Sequence, residues 1–522
     1  MIGHTMLLHN AFDFHAGSRG ETIFASCGGV NLTYAGAQVA TDRLATLIGK
    51  KVRQGGRLAL LMRNRVEALL AILAASRTGA VVVPLNYRLA PVEWRWILAD
   101  AEADLVIADA EFTTALDDVL QDSPIQRLSA TDPVEGWQTL ADAGRDIVAV
   151  ADACRTAPGD TLLQIYTSGT LGRPKGVLIS NRAIMANIQQ CSLAYPHHLS
   201  PGERTLIALP LFHVAALAGA LSAICNGAHL VIHPEVDTQR IVRSLIHDDI
   251  STLTLVPSVL KVVLENLAAA DVASLPNLKF LGYGASPISE PLLRKVLEMF
   301  DCKVGQGYGL TELAGGCCLL SEADHRLALD GRPELLASAG RPLPGCELLI
   351  IGPDGEPLPA GETGEIVVRG DQVMSGYWKL PEATAEALRD GWMHTGDAGF
   401  IEDAGYVFIR DRRKDMIVTG AENVYPAEVE AVLIQHPDIL EASVIGVPDD
   451  RWGEAPLAVI VLRDGANLSA AEVESFCRGK LGGYKIPRRC EVVSSLPRSA
   501  AGKVLRRKLR APYWEGLGRD VN

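Results

Sequence analysis

The segment from Tyr166 to Gly176 holds the residues best suited to bind an anion. It reads YTSGTLGRPKG, follows the apolar stretch TLLQI, and carries three small hydroxyl residues, three glycines and one lysine. Small residues let backbone N–H groups converge on an anion, hydroxyls add donors, and Lys175 adds the point charge that a polyphosphate attracts. It is not the mononucleotide P-loop, because Pro174 precedes the lysine and Gly176 follows it. The alternative interpretation is a flexible hairpin without a ligand.

A second segment, Gln306–Glu312, combines an aromatic ring, a hydroxyl and a carboxylate. Tyr308 offers a flat face to a base, Thr311 a hydroxyl, and Glu312 the kind of oxygen that the hard Mg²⁺ ion prefers. With Gly305 the segment forms a G-x-G-x-G string, but the spacing of a dinucleotide-binding fingerprint does not continue into an amphipathic helix. A simple turn is the alternative interpretation.

Three shorter motifs carry charged residues. His394–Asp397 closes a turn with a carboxylate that could accept both hydroxyls of a ribose. Asp411–Asp415 is a dense charge run, and Pro497–Lys503 places one lysine at the tip of a Gly/Ser/Ala loop. Taken singly, each also has a purely structural interpretation: a capped turn, a solvated turn and a surface lysine.

The elements that must position these motifs alternate between helices and buried strands. VEALLAILAASRTGA (66–80) has apolar residues at helical spacing and a glycine near its end, and VVVPL and DLVIADA follow as apolar strands. Residues 205–320 repeat the alternation. The pattern predicts an α/β fold of parallel sheets covered by helices, with ligands at the glycine-rich turns that end the strands.

The pattern changes after Ala337. Pro-Gly and Asp-Gly turns separate short strands, which predicts an antiparallel or barrel-like piece, and a hairpin turning at Glu402–Gly405 follows. The residues beyond the charge run form a compact α+β pattern large enough for a separate small domain. We therefore expect a hinge within the charge run.

Composition disfavours several classes of function. Asp and Glu outnumber Lys and Arg by 62 to 49, and the net charge of −13 repels phosphate backbones, which argues against nucleic acid as a partner. Ten cysteines without a C-x-x-C pair, and an N-terminus without the pattern of a signal peptide, predict a cytoplasmic protein. Residues 205–234 carry no Lys, Arg, Asp or Glu, but Pro210 and several polar residues interrupt them. We expect a buried helix and a core strand there, and no transmembrane segment.

Together and in this order, the motifs resemble the adenylate-forming superfamily of acyl-CoA synthetases, aryl-CoA ligases, luciferases and peptide-synthetase adenylation domains. The resemblance extends from LTYAGAQVATDRLA (32–45) to GKVLRRKLR (502–510) and includes LPLFHV (209–214), YGAS (283–286) and DRRKDMIVTGAENVYPAEVE (411–430). It implies a large N-terminal region, residues 1–413, made of two α/β subdomains and a small β-barrel-like subdomain. A mobile α+β C-terminal domain, residues 414–522, would turn on a hinge at Lys414.

The resemblance also implies a reaction in two halves. A carboxylate would attack the α-phosphate of Mg·ATP to give acyl-adenylate and pyrophosphate, and a nucleophile, usually the thiol of coenzyme A, would then take the acyl group. Lys503 would bridge the carboxylate and the α-phosphate, Thr311 would lie near that phosphate, and Glu312 would bind Mg²⁺. The implied ATP-binding residues of the phosphate loop, the adenine site and the ribose site, beside Lys503, are Thr167, Ser168, Gly169, Thr170, Gly172, Lys175, Gly284, Ala285, Ser286, Gly307, Tyr308, Gly309, Asp397 and Arg412.

The implied acyl pocket is bordered by His213, which would gate entry, and by small residues. These are Val214, Ala215, Gly307, Gly309, Ala314 and Gly315. Because no Lys or Arg in this set could pair with a second carboxylate, we expect a hydrophobic monocarboxylate: a medium- or long-chain fatty acid, or an aromatic or cyclic acid.

A coenzyme A site is implied by six residues: Arg88, Gly420, Ala421, Trp452, Tyr484 and Arg488. Trp452 could stack on an adenine, and Tyr484, Arg488 and Arg88 could meet phosphates. One position departs from the family pattern, since thioester-forming relatives commonly read GGEN where this chain reads GAEN from Gly420.

The departure lies at Ala421, where the family's second glycine borders the path of the thiol. An added Cβ narrows that path or restricts φ. The alternative function is therefore an adenylating ligase that passes the acyl group to an amine or a carrier protein. A non-catalytic nucleotide sensor is disfavoured because both Glu312 and Lys503 are present. The oligomeric state stays open between monomer and homodimer.

Overall fold

The computed structural model of the chain describes residues 6–121, 123–145, 156–167, 173–195, 199–284, 288, 290–300, 302–412, 416–420, 422–497 and 504–515. Nine of the predicted site and hinge residues lie outside this part of the chain: Ser168, Gly169, Thr170, Gly172, Ala285, Ser286, Lys414, Ala421 and Lys503.

Helices and strands alternate through the N-terminal part of the chain. The elements up to residue 207 are α1 (Leu8–Arg19), β1 (Ile23–Cys27), β2 (Val30–Thr33), α2 (Tyr34–Lys51), β3 (Arg57–Leu61), α3 (Val66–Thr78), β4 (Val81–Pro84), α4 (Pro91–Ala101), β5 (Ala103–Ala108), α5 (Ala110–Val119), β6 (Gln126–Ser129), β7 (Gln138–Thr139), α6 (Leu140–Gly144), β8 (Thr161–Thr167), β9 (Lys175–Ser180), α7 (Asn181–Ala194) and β10 (Arg204–Ile207). The elements from 214 to 342 are α8 (Val214–Cys225), β11 (His229–Ile232), α9 (Thr238–His247), β12 (Ile250–Leu255), α10 (Pro257–Ala269), β13 (Phe280–Gly284), α11 (Glu290–Met299), β14 (Lys303–Leu310), β15 (Gly315–Leu320), α12 (Glu322–Leu329) and β16 (Arg341–Pro342), with 3₁₀ turns at Thr311–Leu313 and Pro333–Ala337.

Short strands dominate the remainder. The elements are β17 (Glu347–Ile351), β18 (Gly364–Arg369), β19 (Gly376–Tyr377), α13 (Pro381–Ala387), β20 (Leu388–Arg389), β21 (Trp392–Ile401), β22 (Val407–Arg412), β23 (Ile417–Thr419), β24 (Glu422–Val424), α14 (Pro426–Leu433), β25 (Ile439–Asp449), β26 (Gly453–Leu462), α15 (Ala470–Cys477), β27 (Arg489–Val492) and α16 (Arg506–Trp514).

Two large sheets confirm the predicted α/β class. The first has the strand order β19-β9-β8-β4-β3-β5-β6-β7, and the second has the order β16-β15-β14-β13-β12-β10-β11-β1-β2. Strands β3 to β7 pair in parallel in the first sheet, as do β10 to β14 in the second. Antiparallel pairs lie at the β19 end of the first sheet and at both ends of the second. No pattern in the sequence predicts that the N-terminal hairpin β1–β2 joins the second sheet beside β11.

The core between the sheets explains why most residues of α3 and α8 are apolar. Leu69 and Ile72 of α3 and Leu217 of α8 belong to one cluster with Val82 of the first sheet and Leu230 of the second. A helix packed between two layers buries most of its surface and therefore needs little polar face; the exposed positions of α8, Ala215 and Gly219, carry small residues. The charge-free stretch is thus the buried helix and core strand that the sequence predicts. No helix within the described ranges has the length and apolarity needed to cross a membrane.

Two smaller units follow the large sheets. Strands β17, β18, β20, β21 and β22 form an antiparallel sheet, and the β21–β22 hairpin turns at the predicted residues, 402–405. Strands β23 to β27 form another sheet, with α14 and α15 on one side and α16 packed near β25. The apolar clusters of the described chain separate between Ile409 and Ile417, so the C-terminal unit has its own core.

Candidate active site

The flanks of the phosphate loop end two adjacent strands. Thr167, the last residue of β8, pairs with Lys175, the first residue of β9. Beneath them Tyr166 donates its hydroxyl to Asp100 Oδ2 at 2.6 Å and accepts from Gln164 Nε2 at 2.9 Å. The strand pair therefore fixes both ends of the loop.

Tyr377 brings the loop's lysine close to the candidate magnesium ligand. The Nζ of Lys175 lies 4.8 Å from the centroid of the Tyr377 ring, and the Tyr377 hydroxyl donates to Glu312 Oε1 at 2.9 Å. Burial and the neighbouring Glu312 charge raise the pKa of Tyr377, so its hydroxyl keeps its proton and stays a donor. Two motifs far apart in sequence meet at one place because β19 pairs with β9.

A single carboxylate fits Mg²⁺ in this setting. Among the described residues no group of three or more His, Cys, Asp or Glu side chains could hold a metal by itself. Mg²⁺ is usually bound by one or two carboxylates together with substrate phosphates and water. Glu312, beside the lysine of the phosphate loop, supplies a donor of that kind.

The residues predicted to contact the base and the ribose also lie together. Tyr308 is buried and donates its hydroxyl to Asp397 Oδ2 at 2.6 Å. Asp397 is paired across the β21–β22 hairpin with the backbone of Arg412. Gly284 lies opposite Gly307 on the neighbouring strand, and a Cβ at Gly284 would sit 2.7 Å from the Gly307 carbonyl oxygen. This close approach of two backbones requires glycine.

The predicted acyl-pocket residues divide into two groups. Ala215 is exposed at the start of α8, and a Cβ at Gly307 would meet nothing within 4 Å, so both border open space. Ala314 is fully buried, and a Cβ at Gly309 would lie 1.9 Å from the carbonyl oxygen of Gly315. Gly309, opposite Gly315 in the β14–β15 hairpin, is therefore required by backbone packing, whether or not it also borders the acyl pocket. The remaining member, Val214, is half-buried beside His213.

A cavity of about 70 Å³ lies between the large N-terminal region and the C-terminal unit. Its walls include two predicted catalytic residues, His213 and Thr311, and the phosphate-loop residue Thr167. The other wall comes from the GAEN segment and from the segment around Tyr484: Glu422, Asn423, Tyr425, Tyr484 and Lys485.

Glu422 is a site residue for which sequence analysis assigned no role. Its buried carboxylate accepts from Arg88 Nη1 at 2.6 Å and from Asn86 Nδ2 at 3.2 Å, and lies 2.9 Å from His213 Nε2. Burial alone raises the pKa of this carboxyl group, but His213 and Arg88 outweigh burial and hold the pKa below its ordinary value. An ionised carboxylate only accepts hydrogen bonds, so Nε2 of His213 carries a proton. The feature of the sequence that could have indicated this role is the position of a glutamate within a short strand, in the segment GAENV.

The residues predicted for coenzyme A occupy different settings. Gly420 has φ +65, and a Cβ there would lie 3.1 Å from the Trp452 ring, so both conformation and space require glycine. Trp452 and Arg488 are exposed, and the guanidinium of Arg451 lies 4.6 Å above the Trp452 ring. The hydroxyl of Tyr484 accepts from Asn86 at the interdomain cavity, whereas Arg88 is paired with Glu422.

The sequence matches the models of two domain families. Residues 12–378 match the AMP-binding enzyme model, and residues 428–503 match the model of the C-terminal domain of AMP-binding enzymes. The chain therefore belongs to the AMP-binding enzymes, which confirms the resemblance to the adenylate-forming acyl-CoA synthetases. It is an AMP-forming acid ligase of the acyl-CoA synthetase type.

Two curated relatives cover almost the whole chain. The fatty acid–[acyl-carrier-protein] ligase ScoC of Streptomyces coeruleorubidus is 34% identical over 98% of this chain and 97% of its own. The long-chain-fatty-acid–CoA ligase FadD13 of Mycobacterium tuberculosis is 35% identical over 93% of each chain.

Solved structures show the same architecture. The amide bond synthetase McbA from Marinactinospora thermotolerans superposes with a TM-score of 0.87, at 29% identity, and covers 97% of this chain and all of its own. A double mutant of o-succinylbenzoate CoA synthetase from Bacillus subtilis with the product analogue OSB-NCoA gives 0.84, at 30% identity over 96% of this chain and 98% of its own. The same enzyme with ATP and magnesium gives 0.68, at 29% identity over 96% and 99%.

Proposed function

We propose that the protein joins a hydrophobic monocarboxylic acid to AMP with Mg·ATP and then transfers the acyl group to coenzyme A. The observation that carries the proposal is that the predicted residues lie together. Lys175 and Glu312 both contact Tyr377. Thr311 and His213 line the cavity to which the C-terminal unit contributes Glu422 of the GAEN segment. The proposed boundary between the two domains stays at 413/414, and the proposed hinge at Lys414.

The first half-reaction requires mainly positioning and neutralisation of charge, because a carboxylate and a triphosphate repel each other. The phosphate loop, Ser168, Gly169, Thr170 and Gly172 included, would hold the β- and γ-phosphates. Glu312 would hold Mg²⁺, which supplies positive charge to the polyphosphate when bound. Lys503 would act where charge develops between the carboxylate and the α-phosphate.

Adenine and ribose would occupy the region around Tyr308. Its hydroxyl bond to Asp397 holds its ring beside the carboxylate proposed to accept the ribose hydroxyls. Ala285 and Ser286 complete the proposed adenine site, and the side chain of Arg412 completes the ribose site. These assignments rest on the pairing of β13 with β14 and of β21 with β22.

The second half-reaction is supported by the position of the C-terminal unit. Glu422 reaches His213, and the whole-chain superposition is closer to the product-analogue complex than to the ATP complex of the Bacillus subtilis enzyme. Val504, the neighbour of Lys503, packs against the β25–β26 face and is not among the cavity-lining residues of the described chain. We infer that the structure corresponds to the acyl-transfer arrangement.

The acid would be a fatty, aromatic or cyclic monocarboxylate, since small residues border the space beside His213. The relatives named for fatty acids support this class. A second acceptor is favoured by one observation: Ala421 stands where thioester-forming relatives have glycine, and relatives that use a carrier protein or form amides share the architecture. A cytoplasmic location and a monomeric or homodimeric state complete the proposal.

A two-stage assay tests the function. Pyrophosphate release is measured with fatty acids of graded length, aromatic acids, and a dicarboxylic acid as the matched control, which we expect to be the poorest substrate. The best acid is then supplied with coenzyme A, an acyl carrier protein or an amine, and each product is identified by mass spectrometry. Thioester formation only with coenzyme A supports the proposal. Transfer only to a carrier protein or amine assigns the alternative, and no pyrophosphate release with any acid refutes adenylation.

A further inference from the structure

A buried lysine joins the two domains beside the cavity. The Nζ of Lys485 lies 2.7 Å from Glu93 Oε1 and 2.8 Å from Glu428 Oε1. The lysine side chain is 2% exposed and its partners are 12% and 7% exposed. Burial lowers the pKa of Lys485, but the two carboxylates outweigh it and raise the pKa, so the lysine is charged.

The two carboxylates differ in which domain they belong to. Glu428 lies on α14, in the same unit as Lys485, so that pair persists wherever the C-terminal unit lies. Glu93 lies on α4 of the N-terminal region, so its bond to Lys485 exists only in the present arrangement. A buried charge that loses one partner is strongly penalised, which makes this bond selective for the arrangement.

Glu93 is held in place before it meets the lysine. Its Oε2 accepts from the backbone N–H of Ala90 at 2.8 Å and so caps the first turn of α4, whose N-cap residue has no side-chain acceptor of its own, while Oε1 faces Lys485. One carboxylate thus has two separate tasks. The part that caps the helix does not need the charge, because glutamine also serves in a capping box.

The two domains also approach closely beside the Lys485–Glu93 bond. A Cβ at Gly482 would lie 2.8 Å from the Arg88 carbonyl oxygen and 3.4 Å from Leu89 Cα. Asn86 donates to the Tyr484 hydroxyl at 3.3 Å. Residues 86–93 therefore form a docking surface against which residues 482–485 fit without a side chain at Gly482.

We propose that Glu93 is a positioning residue that, through Lys485, holds the C-terminal domain in the arrangement used for acyl transfer. The inference rests on the two-step function proposed above and adds a residue to its second half. Glu93 acts on domain position and contacts no substrate.

Glu93→Gln is the decisive variant, since it keeps the cap and the volume and removes the charge. We expect acyl transfer from supplied acyl-adenylate to fall about tenfold or more, as typical for loss of one partner of a buried charge pair. Acid-dependent exchange of pyrophosphate into ATP stays within about twofold. Glu472→Gln is the matched control, because Glu472 occupies the same capping-box position on the exposed face of α15, and both half-reactions stay unchanged.

A double-mutant cycle and a scattering measurement separate positioning from simple loss of folding. Glu93→Gln combined with Lys485→Met should cost less than the sum of the single changes. Small-angle X-ray scattering of the free wild-type protein should match the present domain arrangement, and the Glu93→Gln profile should depart from it. Equal loss in both half-reactions, additive effects or unchanged scattering overturns the inference. A wild-type protein that adenylates no acid refutes the proposed function instead, and scattering still decides the role of Glu93.

Discussion

The two halves of the site are built in different ways. Four residues proposed for the nucleotide side, Lys175, Glu312, Tyr308 and Asp397, precede the C-terminal unit, and strand pairing and buried hydrogen bonds hold them in place. Lys503 is the contribution proposed from the C-terminal unit. The acceptor side, by contrast, is an interface, at which Glu422 meets His213 across two domains. The nucleotide side is therefore preorganised in the fold, whereas the acceptor side exists in one domain arrangement only.

Lys503→Ala should have the largest effect, and that effect should be on the rate of adenylation. Loss of one electrostatic donor at the transition state typically costs about 10²–10³ in rate, so adenylation should fall by that factor. Acyl transfer from supplied acyl-adenylate should be largely spared. Single-turnover assays of each half-reaction measure the difference, with Lys508→Ala on the exposed face of α16 as the control. Equal loss in both halves would contradict the role of Lys503.

Glu422→Gln addresses the acceptor side. Removing the carboxylate leaves the partly buried Arg88 without its counter-charge, a loss of about 2 kcal/mol or more, equivalent to about thirtyfold. We expect acyl transfer to fall by that factor, while exchange of pyrophosphate into ATP changes little. The two rates are measured on the same preparation. A fall in exchange as large as the fall in transfer would show that Glu422 belongs to the nucleotide side.

Tyr377→Phe tests whether the hydrogen bond to Glu312 contributes to binding of Mg·ATP. A hydrogen bond to a charged group contributes about 1.5–3 kcal/mol, so its removal from Glu312 should raise the apparent KM for Mg·ATP about tenfold. The affinity of the free protein for Mg·ATP, measured by calorimetry, should weaken in parallel. Tyr513→Phe removes a comparable hydrogen bond to Glu491 at the far side of the C-terminal unit and serves as control. An unchanged affinity would show that the hydroxyl of Tyr377 does not help Glu312 to bind Mg·ATP.

Acid should destabilise the N-terminal region first. Burial lowers the pKa of His9, His229 and His233 to about 4, and all three lie in that region. Because the unfolded chain binds these protons below about 6.5, stability is complete above that pH and declines as the pH falls toward 4, by about 1 kcal/mol or more per histidine. Urea unfolding at pH 7.5 and 5 measures the change, and His436→Asn in the C-terminal unit is the control. A pH-independent N-terminal transition would exclude buried neutral histidines.

Much of the architecture followed from periodicity. The helix at 66–78, the strands at 81–84 and 103–108, the charge-free helix at 214–225 and the hairpin at 402–405 all lie where apolar spacing and turn residues predict them. These features are local, because each depends only on residues that are close together in the sequence. The pairing of β1 with β11 was missed, since no local pattern specifies which distant strand a hairpin joins.

The site was predictable to a similar extent. The order of the motifs predicted which residues would bind ATP. In the structure Tyr377 lies between Lys175 and Glu312, and Tyr308 donates a hydrogen bond to Asp397. Glu422 and Glu93 received no role, although Glu422 lies in the GAEN segment, because neither motif nor spacing shows which distant residues a carboxylate will meet. Their importance comes from burial against partners hundreds of residues away.

Sequence patterns were enough to predict the chemical groups that this protein offers: a glycine- and hydroxyl-rich loop with a lysine, a carboxylate suited to magnesium, and a tyrosine and an aspartate suited to a nucleoside. Those properties reside in residue types and short spacings. Only the tertiary structure decided that Tyr377 links the first two groups and that Glu422 and Lys485 are charged groups buried at a domain interface. Electrostatic interactions depend on distance and on exclusion of water, and both are set by how the whole chain packs.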